Sequence, residues 1–162
     1  MRFALVLFCL LALAVPAGWA AARPSGSLSI EDGRGTVTLQ GKGIVIGRIE
    51  RGDLRIVDLT PLDQWSPRVN GVPRGKTVGT RGKDINFYVP GGRYRITVHG
   101  DAFSISARGQ GLAGLDGDPD ATGATGTYAV GDSAVVALPV GLEYVQFGPP
   151  ETATQGTKGA KP

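Results

Sequence analysis

Strict alternation constrains the stretch Gly92-Arg93-Tyr94-Arg95-Ile96-Thr97-Val98-His99-Gly100 more than any other feature of the chain. Tyr94, Ile96 and Val98 occupy every second position, and glycines close both ends. A period of two bounded by glycines describes a half-buried antiparallel strand. The pattern has a counterpart 59 residues upstream, Gly33-Arg34-Gly35-Thr36-Val37-Thr38-Leu39-Gln40-Gly41. Without gaps, the match runs from Ser27/Asn86 to Gly52/Gly111, 26 pairs with six identities. Leu28, Ile30, Val37, Leu39, Ile44 and Ile46 then stand opposite Phe87, Val89, Ile96, Val98, Phe103 and Ile105, and every pair is apolar. These positions describe a duplicated all-β unit whose apolar residues face one interior.

The first residues read as something other than fold. Met1-Arg2 is a short positive start, Phe3 to Val15 an apolar run, and Pro16 to Ala22 a small-residue region. Ala20-Ala21-Ala22 fits a small-x-small cleavage site, and Gly18-Trp19-Ala20 is a second candidate. Together they predict a cleaved secretory signal over 1–22, too short to remain as a spanning helix. Cleavage leaves no transmembrane segment and 140 of the 162 residues, enough for one domain with its own core. The single cysteine, Cys9, lies inside the signal, so disulfides and thiol chemistry are excluded from the mature chain. Loss of Arg2 leaves 16 basic and 14 acidic residues, a balance that demands no polyanionic partner.

After a leader over 23–26, the chain reads as a first half over 27–59, a connection over 60–82 and a second half over 83–147. Glu31-Asp32-Gly33, Gln40-Gly41-Lys42-Gly43, Glu50-Arg51-Gly52-Asp53 and Gly100-Asp101 read as turns between short strands. Val89-Pro90-Gly91-Gly92 reads as a type II turn. Further strands are expected at Thr127–Val130, Ser133–Leu138 and Leu142–Phe147, and a disordered tail over 148–162. Ten or eleven short strands predict an antiparallel β-sandwich or partly closed barrel built from two related meanders.

Five segments of the second half carry a resemblance. Gly91-Gly92-Arg93-Tyr94-Arg95-Ile96, Ile105-Ser106-Ala107, Arg108-Gly109-Gln110-Gly111, Leu115-Asp116-Gly117 and Gly126-Thr127-Tyr128 together resemble a group of small exported glycine-rich all-β proteins of uncharacterised function. The resemblance covers about Gly33 to Phe147. It implies an all-β fold and an exported location, and assigns no site residue.

Candidate sites are few. Trp65 reads as a plug at one end of the core or as an aromatic platform for a sugar or peptide. Arg93 and Arg95 share a strand face that could hold an anionic envelope component, although interspersed acids favour a merely solvated face; the lack of interleaved exposed aromatics argues against nucleic acid. Asp116, Asp118 and Asp120 alternate as in calcium loops. Ala121 and Thr127 stand where such a loop needs glycine and glutamate, so a solvated turn is expected, weak calcium binding is the one metal hypothesis, and no other cofactor is implied. Asn70 to Thr77 ends like a phosphate loop with the wrong glycine spacing and no helix behind it. His99 reads as a surface residue, with Ser104 and Ser106 too poorly placed to serve as its nucleophile. These readings favour a non-enzymatic binding or structural module of the envelope over an exported hydrolase or a small carrier of a lipid-like ligand.

Overall fold

The computed structural model describes residues 26–149. The signal at 1–22, the leader and most of the expected tail lie outside the described residues. Those described are all-β and antiparallel. In order come β1 (Gly26–Asp58), β2 (Arg68–Val69), β3 (Thr77–Val89), β4 (Arg93–Gly117), β5 (Thr127–Val130), β6 (Val136–Ala137) and β7 (Glu143–Phe147). They form one sheet of order β2-β3-β1-β4-β7, with β5 on β1 and β6 on β5.

Two long strands replace most of the expected short ones. The turns expected at Glu31–Gly33, Gln40–Gly43, Glu50–Asp53 and Gly100-Asp101 are interior positions of β1 and β4. Lys42 is opposite both Arg93 and Gln110, and Gly43 is opposite Gly109. Arg93 to Gly109 would span ~55 Å if straight. Both of its ends nonetheless reach the same dipeptide, so β4 curls strongly. β1 runs along both sides of β4, and β4 along both sides of Gly35–Lys42.

The burial pattern shows where the curl is made. In β1 the buried positions are Leu28 and Ile30, then Val37, Leu39, Val45 and Ile49, then Leu54 and Ile56. The phase slips once near Asp32 and once near Glu50. β4 slips between Val98 and Phe103, and β3 between Val78 and Ile85. These slips are neighbours, because Ile30 is opposite Ile105 and Ile49 is opposite both Phe103 and Ile85. Asp32, Asp84 and Ala102 at the slips are the non-glycine residues with positive φ (51°, 51° and 49°). Each takes a left-handed conformation at its slip; register shifts of the β1–β4 ladder fall beside Asp32 and Ala102, whereas the β1–β3 register runs unshifted past Asp84.

One expectation fails at this point. Ile44 and Ile46 are 42% and 56% exposed, while Val45 and Ile49 are buried. With no turn at Gln40–Gly43, the odd-numbered phase of Val37 and Leu39 continues through Val45, and Ile44 and Ile46 are turned outward. Their counterparts Phe103 and Ile105 are buried because β4 slips at Ala102. The proline turn also differs: the positive φ falls on Gly92 (77°) rather than Gly91.

In the β1–β4 ladder Gly41 pairs with Gly111 and Gly52 with Gly100. At both glycine pairs the backbones touch. A methyl group on Gly52 would collide with the His99 carbonyl oxygen, and one on Gly100 with that of Arg51; Gly41 and Gly111 stand in the same relation to Gln110 and Gln40.

One core cluster joins all the long strands, with Tyr94, Phe103 and Phe147 its largest fully buried side chains. The Tyr94 hydroxyl is buried and has no hydrogen-bond partner, and burial pushes its pKa upward. An unsatisfied buried hydroxyl costs stability that its removal restores. Tyr94→Phe is therefore expected to match the wild type or exceed it by up to ~1 kcal/mol in urea unfolding. A loss above that size would show that the hydroxyl is satisfied.

Candidate binding surface

Outward residues on one stretch of the sheet form two rows. Pairing sets Arg68, Tyr88, Ile46, Ser106 and Ser29 side by side across five strand segments. The next row holds Asn86, Arg48 and Ser104. Apart from Ser29, they line an open groove of about 610 Å³ together with Glu31, Val69 and Asn70. Its floor is apolar because Ile46 is turned outward and Tyr88 is half-buried beside it.

One wall is pinned. Asn86 N–H donates to Asn70 Oδ1 (2.8 Å) and Asn70 N–H to the Asn86 carbonyl (3.1 Å). Both side-chain amides donate to the Asp84 carbonyl, at 3.2 and 3.3 Å. Arg48 pairs with Asp84 at 3.2 Å. These contacts hold β2 upright as a rim. The side chains of Tyr88, Ser104, Ser106 and Arg68 form no hydrogen bond with another described residue, which leaves two hydroxyls, a phenol and a guanidinium facing the groove.

A polar row lies on another stretch of the sheet. Asp116, Thr36, His99, Asp53 and Arg81 lie on neighbouring segments in that order. Thr36 Oγ1 and His99 Nδ1 share a hydrogen bond of 2.9 Å. Arg81 binds Asp53 through both nitrogens of its fork, Nη2 at 2.6 Å from Oδ2. Those hydrogen bonds hold the Asp53 carboxyl below its ordinary pKa; burial opposes them less strongly, and the charges of Arg81 and His99 add to the lowering. The pair is formed at neutral pH and is lost as the pH falls through the lowered Asp53 pKa. A hydroxyl, an imidazole and a carboxylate in line are reminiscent of a nucleophile relay. Asp53, however, is committed to Arg81, and Thr36, His99 and Asp53 each have a ladder partner on both sides. The backbone N–H groups of those strands are consumed in the sheet, so none is aimed at a developing oxyanion.

The expected site residues fall in separate places. Trp65 is 45% exposed and outside the core, so it is not a plug. Its ring lies over Gly91, and a Cβ there would sit 3.3 Å from Trp65 Cγ. The loop is held by polar contacts instead: Asp58 accepts from Thr60 N–H, Thr60 Oγ1 donates to Asp63, and Asp63 accepts from Trp65 N–H, each at 2.8 Å. Thr60 Oγ1 also accepts from Arg93 N–H at 3.0 Å, which brings the Trp65 loop and Arg93 to one end of the sheet. Arg95, two residues on, donates to Gln40 Oε1 at 3.0 and 3.2 Å.

Asp116 is on β4, whereas Asp118 and Asp120 lie in the turn beyond it. Asp118 Oδ1 accepts from Asp120 N–H at 2.9 Å, an arrangement that closes the turn. Among the described residues no three His, Cys, Asp or Glu side chains gather as a cation site, and no helix is long and apolar enough to cross a membrane.

Sequence reasoning missed the groove. Its one available signal was phase: carrying the Val37–Leu39 alternation across Gln40–Gly43 turns Ile46 outward, and Tyr88 is outward between Phe87 and Val89. Comparison of the chain with family models, with curated proteins and with solved structures finds no match.

Proposed function

We propose that the protein is an exported, non-catalytic β-domain, built from a duplicated unit, that binds an envelope glycan along the outer groove. The observation that carries this reading is the groove floor of Ile46 and Tyr88, bordered by the unengaged hydroxyls of Ser104 and Ser106 and by Arg68. A sugar ring offers a flat apolar face to an aromatic side chain and hydroxyls to the polar groups around it. The rigid sheet holds those groups in place before binding, which lowers the ordering cost. Export rests on the N-terminal apolar run and the small residues after it. The interior is filled by Tyr94, Phe103, Phe147 and the aliphatic side chains around them, which speaks against a lipid-like cargo carried inside.

The test is retention of the purified mature protein on immobilised cell-wall polysaccharide, followed by calorimetry with the oligosaccharides released from it. Tyr88→Ala is expected to weaken binding at least tenfold while leaving the melting temperature unchanged within a few degrees. Equal binding by that variant, or no retention of the wild type, would refute the reading.

A further inference from the structure

Among the described residues, a long stretch of β3 is an open sheet edge, and it is basic. Residues Thr77 to Lys83 of β3 pair with Arg51–Val57 on one side. On the other side β2 covers β3 only at Phe87 and Tyr88. The Lys76 carbonyl accepts from Asp58 N–H at 2.8 Å, so Lys76 is turned toward β1. Backbone polar groups in a strand alternate in direction, so Thr77, Gly79 and Arg81 turn their N–H and C=O groups away from β1. All three residues are exposed. Over 74–83 the charges are Arg74, Lys76, Arg81 and Lys83, with no acid among them. Arg81 is matched by Asp53, while Arg74, Lys76 and Lys83 form no ion pair with a described residue.

An open edge is a template for another strand. Two copies of this edge would set like charges against each other, which opposes pairing of the protein with itself. An acidic segment meets both demands, with backbone groups for the ladder and carboxylates for the lysines. We propose that Thr77–Lys83 receives an extended acidic segment of a partner protein as an added antiparallel strand. Backbone pairing supplies the affinity, and the basic flanks select the partner. This surface is separate from the groove, and neither proposal depends on the other.

The probe is a nine-residue peptide alternating glutamate with valine, capped at both ends, with the matching lysine–valine peptide as control. At low salt the acidic peptide is expected to bind the mature protein, to lose at least tenfold in affinity at high salt, and to slow hydrogen exchange at Thr77, Gly79 and Arg81. Gly79→Pro removes an outward N–H that the sheet does not use, a place where proline is tolerated. It is expected to fold and to bind at least tenfold more weakly. Lys76→Glu/Lys83→Glu is expected to lose binding to the same extent, and it keeps the test open should the proline variant fail to fold. Tyr88→Ala is expected to bind the peptide like wild type. The proposal is overturned by equal binding of both peptides, by no binding at all, by full binding to the charge-reversed protein, or by protection confined to the groove.

Discussion

Gly100→Val is expected to destabilise the fold by ~3 kcal/mol or more, and Gly52→Val to do the same. The two glycines face each other across the β1–β4 ladder, and a side chain on either would strike a carbonyl oxygen of the opposing strand. Backbone atoms in the middle of a ladder cannot swing aside as a side-chain tip can. The clash is therefore relieved only by parting the strands, at ~3 kcal/mol or more. That is a large share of the stability of a domain this size. Urea unfolding followed by circular dichroism measures it. Gly82→Ala is the control, since a methyl group there meets nothing within 4 Å. It is expected to change stability by less than ~0.5 kcal/mol. Equal behaviour of Gly82 and Gly100 variants would mean that the close approach of β1 and β4 is wrong.

Phe103→Ala carries the second large effect. Phe103 is fully buried, and its ring occupies the space that a side chain at Gly33 would fill. It stands opposite both Gly33 and Ile49, beside the slip at Ala102. Truncation leaves a cavity next to a bulged backbone that has no side chain of its own to collapse into it. The expected cost is ~3–5 kcal/mol by chemical denaturation. Phe103→Leu, which keeps most of the volume, is expected to lose less than half as much. A loss below ~1 kcal/mol for the alanine variant would place the ring outside the core.

What was legible in the chain was local. Tyr94, Ile96 and Val98, or Val37 and Leu39, announce strands because a period of two has no other reading, and all five are buried. The all-β antiparallel class follows from such runs. The continuity of the strands was not legible. Gln40-Gly41-Lys42-Gly43 has the composition of a turn, yet its glycines serve the close approach of β4 at Gln110 and Arg108, residues far along the chain. Glycine marks a tight turn and a crowded ladder alike, and only the partner strand separates the two.

That ambiguity explains why the groove was not legible. Reading a turn at Gln40–Gly43 resets the phase and puts Ile44 and Ile46 inside. Reading a continuous strand turns them out and creates the groove floor. Arg68, Asn70 and Ser104 join that groove through pairings whose register no local pattern records. Trp65 stands out in the sequence by its size, but hydrogen bonds of Asp58, Thr60 and Asp63 hold its loop, so no plug is required.

The central claim is that β1 passes through its glycines unbroken and lies along both sides of β4. Nuclear Overhauser contacts in the isotopically labelled mature domain measure this directly. The structure requires cross-strand contacts from Thr36 to both His99 and Asp116, and between the α-protons of Gly52 and Gly100. Contacts from Leu39 to Ile44, the signature of a hairpin at Gly41-Lys42, in place of those pairs would contradict it.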